Sequence, residues 1–389
     1  MKTIPYGRQE ITDADIEAVT AVLRSDWLTQ GPVVPAFEAA VASYCGAAHA
    51  VAVNSATSAL HLACLALGVG PGDSVWTSPI TFVASANCAL YCSATVDFVD
   101  IELETGNIDA ERLAEKLELA SINGTLPKVL VVVHFAGEPC DMRAIHALSN
   151  RFRFHVIEDA SHAIGAKYLG ERVGNCRNSD ITIFSFHPVK VVTTGEGGMA
   201  VCQDVGLASR MALLRSHGIT RDPAMMSTTE GPWYYEQIDL GFNYRMTDIQ
   251  AALGISQLKR LDGYVSSRQR LARRYDELLS DLPVDLSRRD ARNLSALHLY
   301  VIRLRLDDLS ITRLEAFNSL RKRGVGVNLH YIPVPAQPYF QRLGFSVTAY
   351  PQAERYYQRV ITLPLFATLT ESDQDRVVAA LREVLGVQR

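Results

Sequence analysis

The stretch ITIFSFHPVKVVTTGEGG, residues 181–198, leads an apolar strand into a turn that carries Lys190 and then three glycines. A lysine amine condenses with an aldehyde only when it is neutral, so a lysine used in this way needs burial or nearby positive charge to lower its pKa. The glycines let backbone approach a ligand closely. We therefore interpret Lys190 as a candidate catalytic residue, with an ordinary solvated charge as the alternative.

Short apolar runs alternate with helical patterns on the N-terminal side of this stretch. The runs are HAVAVNS (49–55), SVWTSPI (74–80), TVDFVD (95–100), KVLVVVHF (128–135) and HVIEDA (155–160). Regular alternation of this kind predicts an α/β fold with a mostly parallel sheet and helices on both faces. The runs ITIFSF and GMAVC follow without a long helix between them, so we expect them to close the same sheet as neighbouring strands.

The remainder of the chain predicts a smaller α+β unit. Its elements are a charged helix over 263–280, a strand LHLYVIRLRL (297–306), a helix TRLEAFNSLRKRG (312–324), a strand VGVNLHY (325–331) and a closing helix from Glu371. At the other end, Thr12 and Asp15 have capping-box spacing, which predicts a first helix from about Asp13. We predict an N-terminal arm over 1–12, a large domain over 13–260 and a small C-terminal domain over 261–389.

Composition narrows the functional class. The formal net charge is −4 over 389 residues without a block of like charge, so no electrostatic footprint points to nucleic acid or an anionic membrane. The seven cysteines lack a metal-ligand spacing, which argues against a metal site and suits a reducing compartment. No apolar stretch reaches the roughly 20 residues that span a bilayer. We expect a cytoplasmic enzyme with a small-molecule partner.

Two other strand ends carry candidate binding residues. Asp159 closes the apolar run HVIED, and ligands of open α/β sheets gather at the carboxyl ends of strands. A carboxylate there can keep a pyridine nitrogen protonated; a helix cap or a metal ligand is the alternative. In NSATSAL, Ala56 and Thr57 open a helix, where free amides bind phosphate, although such starts are common. Phe82 follows the next strand and can stack on an aromatic ring, or simply belong to the core.

Six motifs together resemble the DegT/DnrJ/StrS family of sugar aminotransferases. They are NSATSAL, ITFVA, EDASHA, FSFHPVK, GEGG and GFNYRMTDIQAALG, in this order. The resemblance implies the pyridoxal-phosphate-dependent transferase fold type I, which is aspartate aminotransferase-like, and pyridoxal 5'-phosphate as the cofactor. It implies that Lys190 binds the cofactor as a Schiff base, Asp159 pairs with the pyridine nitrogen, His162 lies near the ring hydroxyl and Phe82 stacks on the ring. It further implies that Ala56, Thr57 and Ser185 hold the phosphate, and that Asn243 reaches it from the other subunit of a homodimer.

Within this family the chain is most similar to the branch that makes pseudaminic acid. The shared features are PYG, LTQG, NSATSAL, FSFH, RSHG and the HY of VNLHY. This similarity implies transfer of an amino group from L-glutamate to C4 of a UDP-linked 4-keto-6-deoxy N-acetylated hexose. The implied substrate pocket is lined by Tyr6, Asp26, Trp27, Leu28, Thr29, Asn328, Leu329, His330 and Tyr331. Ala56 and His162 depart from the family pattern, because many relatives have Gly and Gln there.

Several alternatives remain open at this point. The substrate could be another nucleotide 4-keto sugar, of the aminoarabinose or bacillosamine type, although aminoarabinose enzymes typically have SSATAG in place of NSATSAL. A sugar dehydrase of the same family would carry histidine in place of Lys190. A non-catalytic pyridoxal-phosphate-binding regulatory protein would share the fold without turnover. A dinucleotide-binding protein would have GxGxxG after its first strand, and this chain does not.

Overall fold

The structure is a computed structural model that describes residues 3–387. The strands are β1 (His49–Val53), β2 (Ser74–Thr77), β3 (Thr95–Phe98), β4 (Val129–Val133), β5 (His155–Asp159), β6 (Lys167–Tyr168), β7 (Glu171–Arg172), β8 (Ile181–Ser185), β9 (Gly198–Cys202), β10 (Ile219–Thr220), β11 (Glu236–Gln237), β12 (Val284–Leu286), β13 (Tyr300–Leu304) and β14 (Val360–Leu363). Seven of them form one sheet in the order β1-β9-β8-β5-β4-β2-β3. Its pairs are parallel except that β9 runs antiparallel to both β1 and β8. The predicted mostly parallel sheet, closed by ITIFSF and GMAVC, is confirmed.

Helices fill the connections between these strands. They are α1 (Asp13–Leu23), α2 (Val33–Cys45), α3 (Ala56–Ala66), α4 (Ala84–Tyr91), α5 (Ala110–Asn123), α6 (Met142–Phe152), α7 (Val205–Arg215), α8 (Asp248–Leu258), α9 (Leu261–Leu278), α10 (Arg313–Lys322), α11 (Pro338–Arg342), α12 (Pro351–Arg359) and α13 (Glu371–Leu385). The backbone N–H of Thr12 donates to the Asp15 carboxylate over 2.9 Å. The predicted capping box therefore starts α1 at Asp13.

The centre of the large sheet is buried on both faces. Strand β4 reads VLVVV, and all five of its residues are buried. β-Branched side chains suit this position because they pack well against a pleated surface. Parallel strands covered by helices on both sides read as continuous apolar runs of this kind. The neighbouring strands β5 and β8, whose carboxyl ends carry the candidate site, are buried in the same way apart from the first residue of β5.

A second, three-stranded sheet follows in the C-terminal part, in the antiparallel order β12-β13-β14. Helices α9, α10 and α13 cover it with buried apolar side chains. Helix α9 belongs to both parts of the molecule, since Leu261 and Val265 pack into a core of the large sheet while Leu271 and Tyr275 pack onto the small sheet. The proposed domain boundary at residue 260 falls immediately before this helix.

The structure corrects one predicted element. Residues 325–331, VGVNLHY, form isolated bridges and not a strand: Val325 pairs with Ile4, and Asn328 pairs with Thr362. Pairing with two different segments leaves the residues between the bridges without a regular ladder. Residues 1 and 2 of the predicted N-terminal arm lie outside the described residues. Within residues 3–387, no helix is long and apolar enough to cross a membrane.

Candidate active site

The candidate residues converge where strands of the large sheet end. Asp159 closes β5 and Ser185 closes β8, and these two strands run parallel side by side. Gly198, the first residue of β9, lies opposite Ser185 on one side and opposite Val53, the last residue of β1, on the other. Parallel strands bring their carboxyl ends to one edge of a sheet. Strand order therefore places Ser185 and the start of α3 at the same edge as Asp159.

The start of α3 is built to receive an anion. Ser55 caps the helix, its hydroxyl accepting the N–H of Ser58 over 3.1 Å. The backbone N–H groups of Ala56 and Thr57 have no hydrogen-bond acceptor among residues 3–387. These free amides and the helix dipole create a positive end that suits phosphate. Gly198 packs directly against the backbone of this turn, because a Cβ atom at Gly198 would lie 2.4 Å from the Ser55 carbonyl carbon.

Asp159 is fixed by two hydrogen bonds. The Ser85 hydroxyl donates to one carboxylate oxygen over 2.6 Å, and the Ser161 N–H donates to the other over 3.1 Å. Ser85 itself lies 2.8 Å from the Thr81 hydroxyl. Both donors hold the buried carboxylate in one orientation. Ser85 was not predicted from the sequence, because a serine near the start of a helix is too common to indicate a role.

The amine of Lys190 has the property that a Schiff-base lysine requires. Lys190 is half-buried, and desolvation by the surrounding protein lowers the pKa of its amine to about 8, although the negative charge of Asp159 acts in the opposite direction. The turn that holds it is closed by a hydrogen bond of 2.9 Å from the Lys190 N–H to the His187 carbonyl. A pKa near 8 leaves about one-tenth of the amine neutral at pH 7. This fraction is available as a nucleophile or a base.

A buried group of rings surrounds His162. Its Nε2 lies 3.1 Å from the Tyr331 hydroxyl, and its ring centroid lies 4.5 Å from that of His298. Burial, with the nearby charge of Lys190, holds the pKa values of His162 and His298 well below the ordinary value, and lowers that of His330 to about 3. These imidazoles are neutral at pH 7. His298 was not predicted, because a single histidine in an apolar run carries no functional signal.

Two imidazole nitrogens in this group have no partner within residues 3–387. Nδ1 of His162 is buried and has no hydrogen-bond partner among the described residues, and the same holds for Nδ1 of His298. An unsatisfied buried nitrogen costs about 1–3 kcal/mol, so such atoms usually have a partner in the working protein. His162 lies between Tyr331 and His298, and the positive charge of Lys190 is close enough to lower the pKa of its imidazole. A hydroxyl group on a bound aromatic ring would be a suitable hydrogen-bond partner for the free nitrogen of His162.

Two further cofactor candidates have side chains open to solvent. Phe82 is 59% exposed, and its ring centroid lies 6.4 Å from that of Tyr331. An exposed phenyl face next to the ring group can receive a stacked heterocycle. Asn243 is also exposed, and its carbonyl oxygen accepts from the Asn54 amide of the same chain over 3.5 Å. Its predicted reach into a neighbouring subunit stays a prediction.

The carboxylate beside Asp159 has a different, structural environment. Glu158 lies 2.6 Å from His134 Nε2, and the Thr182 hydroxyl donates to it over 2.9 Å. The Cys140 N–H donates to His134 Nδ1, so Nε2 carries the proton and donates to Glu158. Although burial alone would raise it, these hydrogen bonds lower the pKa of Glu158. Glu158 and His134 therefore have their hydrogen-bond partners within the protein. We assign this pair a structural role at the end of β5.

The predicted substrate residues fall into two places. Tyr6 lies 5.4 Å from His330 between ring centroids, and the side chain of Asn328 hydrogen-bonds to Tyr6. His330 is fixed by a 2.9 Å contact between its Nδ1 and the Thr362 hydroxyl. Leu329 is half-buried at the junction of two apolar cores. This part of the predicted pocket therefore adjoins Tyr331 and the ring group.

Residues 26–29 lie against the start of α8. The Asp248 N–H donates to the Leu28 carbonyl over 3.0 Å, and Thr29 pairs with Thr247. Asp26 and the two apolar residues after it are exposed, with Trp27 at 56%. Large exposed apolar side chains indicate a surface that a partner or ligand covers. Their role in a sugar pocket stays a prediction.

Taken together, these residues fit pyridoxal phosphate. Lys190 offers an amine of lowered pKa, Asp159 a fixed carboxylate, the first turn of α3 two free amides, and His162 an unpartnered nitrogen. These donors match an aldehyde, a pyridine nitrogen, a phosphate and a ring hydroxyl respectively. In residues 3–387, no group of three or more His, Cys, Asp or Glu could hold a metal ion.

Comparison with known proteins identifies the same class. A model of the DegT/DnrJ/EryC1/StrS aminotransferase family matches residues 9–382. The spore coat polysaccharide biosynthesis protein SpsC of Bacillus subtilis is 40% identical over 387 residues, covering 98% of this chain and 97% of SpsC. The UDP-4-amino-4,6-dideoxy-N-acetyl-beta-L-altrosamine transaminase of Campylobacter jejuni is 38% identical over 384 residues, covering 98% of this chain and 97% of the relative.

A solved structure extends the likeness to the fold and the cofactor. The PLP form of Spr1654 from Streptococcus pneumoniae superposes with a TM-score of 0.89 at 29% identity and covers 99% of both chains. The family match, the relatives and this structure agree with the fold type I architecture and the cofactor that the motifs implied. The chain belongs to the DegT/DnrJ/EryC1/StrS aminotransferase family and is a pyridoxal-phosphate-dependent sugar aminotransferase.

Proposed function

We propose that the protein transfers the amino group of L-glutamate to C4 of a UDP-linked 4-keto-6-deoxy N-acetylated hexose, the step used in pseudaminic acid biosynthesis. The observation that carries the reaction is the Lys190 amine, with its pKa lowered to about 8 and the Asp159 charge nearby. The sugar is supported by the substrate motifs and by 38% identity to a transaminase whose name specifies a UDP-linked 4-amino-4,6-dideoxy sugar.

Each site residue then has a chemical role. Bound pyridoxal phosphate supplies an electron sink, which takes up the electron pair left when a proton leaves the carbon next to the reacting nitrogen. Lys190 would hold the cofactor through its aldehyde carbon. Its neutral amine would take the proton from Cα of glutamate, and the resulting ammonium would deliver a proton to C4 of the sugar. Asp159 keeps the pyridine nitrogen protonated, and His162 donates to the ring hydroxyl.

Residues at the edge of the sheet would bind the phosphate and the ring face of the cofactor. The Ala56 and Thr57 amides and the Ser185 hydroxyl bind the phosphate, and Phe82 stacks on the ring. The support is the free first turn of α3, the position of Ser185 opposite Gly198, and the exposure of Phe82. Tyr6, Asp26, Trp27, Leu28, Thr29, Asn328, Leu329, His330 and Tyr331 line the sugar-nucleotide pocket.

We also propose a homodimer whose active sites are shared, with the partner's Asn243 completing the phosphate site. Large apolar side chains exposed in the single chain support an extensive interface. Trp233 is 71% exposed and Leu240 is 77% exposed, and both lie within ten residues of Asn243 in sequence. Exposed apolar surface of this kind marks an interaction site.

We propose a cytoplasmic location for the enzyme. All seven cysteines are free and buried. Free thiols persist where the compartment is reducing, as in the cytosol. Cell fractionation of the native host tests this location, with aminotransferase activity measured in each fraction.

One relative favours a second candidate. SpsC is 40% identical to this chain, slightly more than the altrosamine transaminase, and its name places it in spore coat polysaccharide biosynthesis. The alternative is therefore amination of another nucleotide 4-keto sugar destined for a surface polysaccharide, of the bacillosamine or aminoarabinose type. The two candidates share Lys190, Asp159 and the cofactor, and differ in the sugar alone.

A substrate panel separates the candidates. The purified enzyme is incubated with ¹⁵N-labelled L-glutamate and a set of UDP-linked 4-keto sugars, and the products are identified by mass spectrometry and NMR. We expect the label at C4 of the 6-deoxy N-acetylated hexose, with the highest kcat/KM for that sugar. A higher kcat/KM for a 4-keto pentose or for a sugar of opposite stereochemistry would establish the alternative. No labelled sugar from any member would contradict both.

A further inference from the structure

His162 and Tyr331 are joined by a contact between an imidazole nitrogen and a hydroxyl group. Nε2 of His162 lies 3.1 Å from the Tyr331 hydroxyl oxygen, and the two residues are 169 positions apart in sequence. His162 follows β5 of the large sheet, whereas Tyr331 lies in the C-terminal part, before β14. The contact therefore forms only in the folded chain, where the two parts of the molecule meet beside the candidate cofactor site.

Both rings are held in place by aromatic neighbours. The centroid of the Tyr331 ring lies 4.9 Å from that of His330 and 6.2 Å from that of Phe135. The centroid of the His162 ring lies 4.5 Å from that of His298 and 6.3 Å from that of Phe135. Close packing on two sides leaves each ring little freedom to turn. The hydroxyl and Nε2 are thus kept facing each other.

The imidazole of His162 carries a single proton. Desolvation, with the positive charge of Lys190 and the nearby His330, holds the pKa of His162 well below the ordinary value. A neutral imidazole donates from one nitrogen and accepts at the other. Which nitrogen holds the proton is decided by the hydrogen bond that the other one makes. The contact with Tyr331 at Nε2 therefore determines what Nδ1 can do.

Tyr331 acts as the donor in this contact. The residue is half-buried, and desolvation, with the negative charge of Asp159, raises the pKa of its hydroxyl, which keeps its proton at neutral pH. Within residues 3–387, Nε2 of His162 is its hydrogen-bond partner and no second one is present. The lone pair of a neutral imidazole is a better acceptor than a phenol oxygen, so the hydroxyl donates and Nε2 accepts. The proton of His162 is then on Nδ1.

Nδ1 of His162 is consequently a free donor. It is buried and has no partner among the described residues, and neither has Nδ1 of His298, so these two nitrogens do not satisfy each other. A buried donor without an acceptor is costly, and such groups usually have a partner in the working protein. A negatively charged oxygen is the acceptor that forms the strongest hydrogen bond with an N–H group. The deprotonated ring hydroxyl of pyridoxal phosphate is an oxygen of this kind.

We propose that Tyr331 is a positioning residue, whose hydroxyl fixes the proton of His162 on Nδ1 so that His162 donates to the negatively charged ring oxygen of pyridoxal phosphate. The inference rests on the proposed place of His162 beside the ring hydroxyl. Tyr331 acts through His162 and needs no contact with the cofactor. A donor at the ring oxygen shares its negative charge. The neighbouring protonated nitrogen that joins the cofactor to Lys190 is then stabilised less and loses its proton at a lower pH.

NMR of the full-length enzyme labelled with ¹⁵N-histidine tests the tautomer directly, before and after pyridoxal phosphate is added. Correlation of ring nitrogens with ring C–H protons separates a protonated nitrogen from one with a lone pair. His162→Gln identifies the signals of His162 among the ten histidines. We expect the proton on Nδ1 in the wild-type protein. In Tyr331→Phe without cofactor, the proton should move to Nε2, which is the form that histidine prefers in water.

Tyr356→Phe is the matched control for Tyr331→Phe. It removes the hydroxyl of another tyrosine that packs on Phe135, with ring centroids 5.9 Å apart. That hydroxyl donates to the His330 carbonyl over 3.3 Å and not to His162. The wild-type tautomer of His162 should therefore persist in this variant. A proton on Nε2 in the wild-type protein, or on Nδ1 in Tyr331→Phe without cofactor, overturns the proposal.

A pH titration of the visible band of the lysine-bound cofactor measures the effect on the cofactor. In Tyr331→Phe the midpoint should rise by roughly 0.5–1 pH unit, because the donor at the ring oxygen is weakened. The glutamine amide of His162→Gln donates without a tautomer to fix, so adding Tyr331→Phe to that variant should leave the midpoint unchanged. Equal shifts in both backgrounds would show a merely structural role and overturn the proposal. Failure of the proposed function is distinguishable, since the wild-type protein would then show no visible band.

Discussion

Two opposing effects act on the amine of Lys190. Burial favours the neutral form and lowers its pKa, and the negative charge of Asp159 favours the ammonium and raises it; the result is a pKa of about 8. An amine that never lost its proton could not attack an aldehyde, and one that never regained it could not deliver a proton to C4. A pKa near the working pH serves both halves of the proposed reaction.

The pH dependence of cofactor capture follows from this balance. As pH rises through about 8, Lys190 loses its proton and becomes a nucleophile, so the rate at which apoenzyme binds pyridoxal phosphate covalently should rise with a midpoint near 8. Asp159→Asn removes the charge that raises the pKa, so its midpoint should move to lower pH. Stopped-flow absorbance across a pH series measures both midpoints.

Ser85→Ala is the matched control for this experiment. It removes the 2.6 Å hydrogen bond to Asp159 but leaves the carboxylate charge in place, so its midpoint should stay close to the wild-type value. A wild-type midpoint near 10.5, the ordinary value for lysine, would show that the amine is not desolvated. Equal midpoints in wild type and Asp159→Asn would show that the carboxylate does not act on Lys190.

The placement of three candidate residues was predictable, because ligands of an α/β sheet gather where its strands end. Lys190, Asp159 and Ser185 stand at or just beyond strand ends that the apolar runs reveal. Ser85 and His298 were not predictable. Their meaning depends on which side chains meet across helices, and a single sequence contains no pairing information of that kind.

At the scale of elements, the phosphate site depends on the fit of β9 against the start of α3. A Cβ on Gly198 would lie 2.4–2.5 Å from the Ser55 and Ala56 backbone atoms, which cannot move without moving the helix. Gly198→Ala should therefore weaken cofactor binding and lower the free energy of unfolding by about 1–3 kcal/mol. Titration of apoenzyme with pyridoxal phosphate and thermal unfolding measure the two effects.

Gly263→Ala is the matched control for Gly198→Ala. Gly263 lies exposed in α9, and a Cβ there would meet nothing within 4 Å. The same substitution should leave cofactor binding unchanged and raise stability by about 0.5–1 kcal/mol, since alanine is the better helix former. Wild-type cofactor affinity in Gly198→Ala would refute the close fit of the two elements.

The elements themselves show where sequence patterns succeed and fail. Strands β1 to β5, β8 and β9 were predicted because each is a buried apolar run bounded by turn residues. The run 325–331 has the same appearance and forms no strand, since Val325 pairs with Ile4 and Asn328 with Thr362. A local pattern reports burial and β-propensity, but a ladder also requires a continuous neighbour, which tertiary structure decides.

At the scale of the whole molecule, the single chain exposes apolar side chains that the proposed homodimer would cover. If Asn243 completes the site of its partner, two defective subunits should rescue each other. Lys190→Ala and Asn243→Ala proteins, each inactive or nearly so as a homodimer, are mixed under conditions that allow subunit exchange. One site of the hybrid then combines an intact Lys190 with an intact Asn243, and activity should rise toward about a quarter of the wild-type value at statistical exchange.

The same mixture also tests the opposite arrangement, in which Asn243 contributes to the active site of its own subunit. If Asn243 served its own subunit, each hybrid site would carry one of the two defects and no activity would return. Mixing Lys190→Ala with Asp159→Asn is the control, because both residues belong to one subunit's site and no rescue is expected. Light scattering on the mixtures measures the mass of the assembly directly.

The proposed chemistry as a whole depends on Lys190 as the residue that binds the cofactor, and an absorption spectrum tests this most directly. Purified wild-type protein with pyridoxal phosphate should show the visible band of the lysine-bound cofactor, and L-glutamate should convert it to the shorter-wavelength band of the aminated cofactor. Lys190→Ala should lack turnover and the lysine-dependent band while keeping the wild-type circular dichroism. A wild-type protein that acquires no such band, or a Lys190→Ala variant that turns over substrate, would contradict the assignment of Lys190.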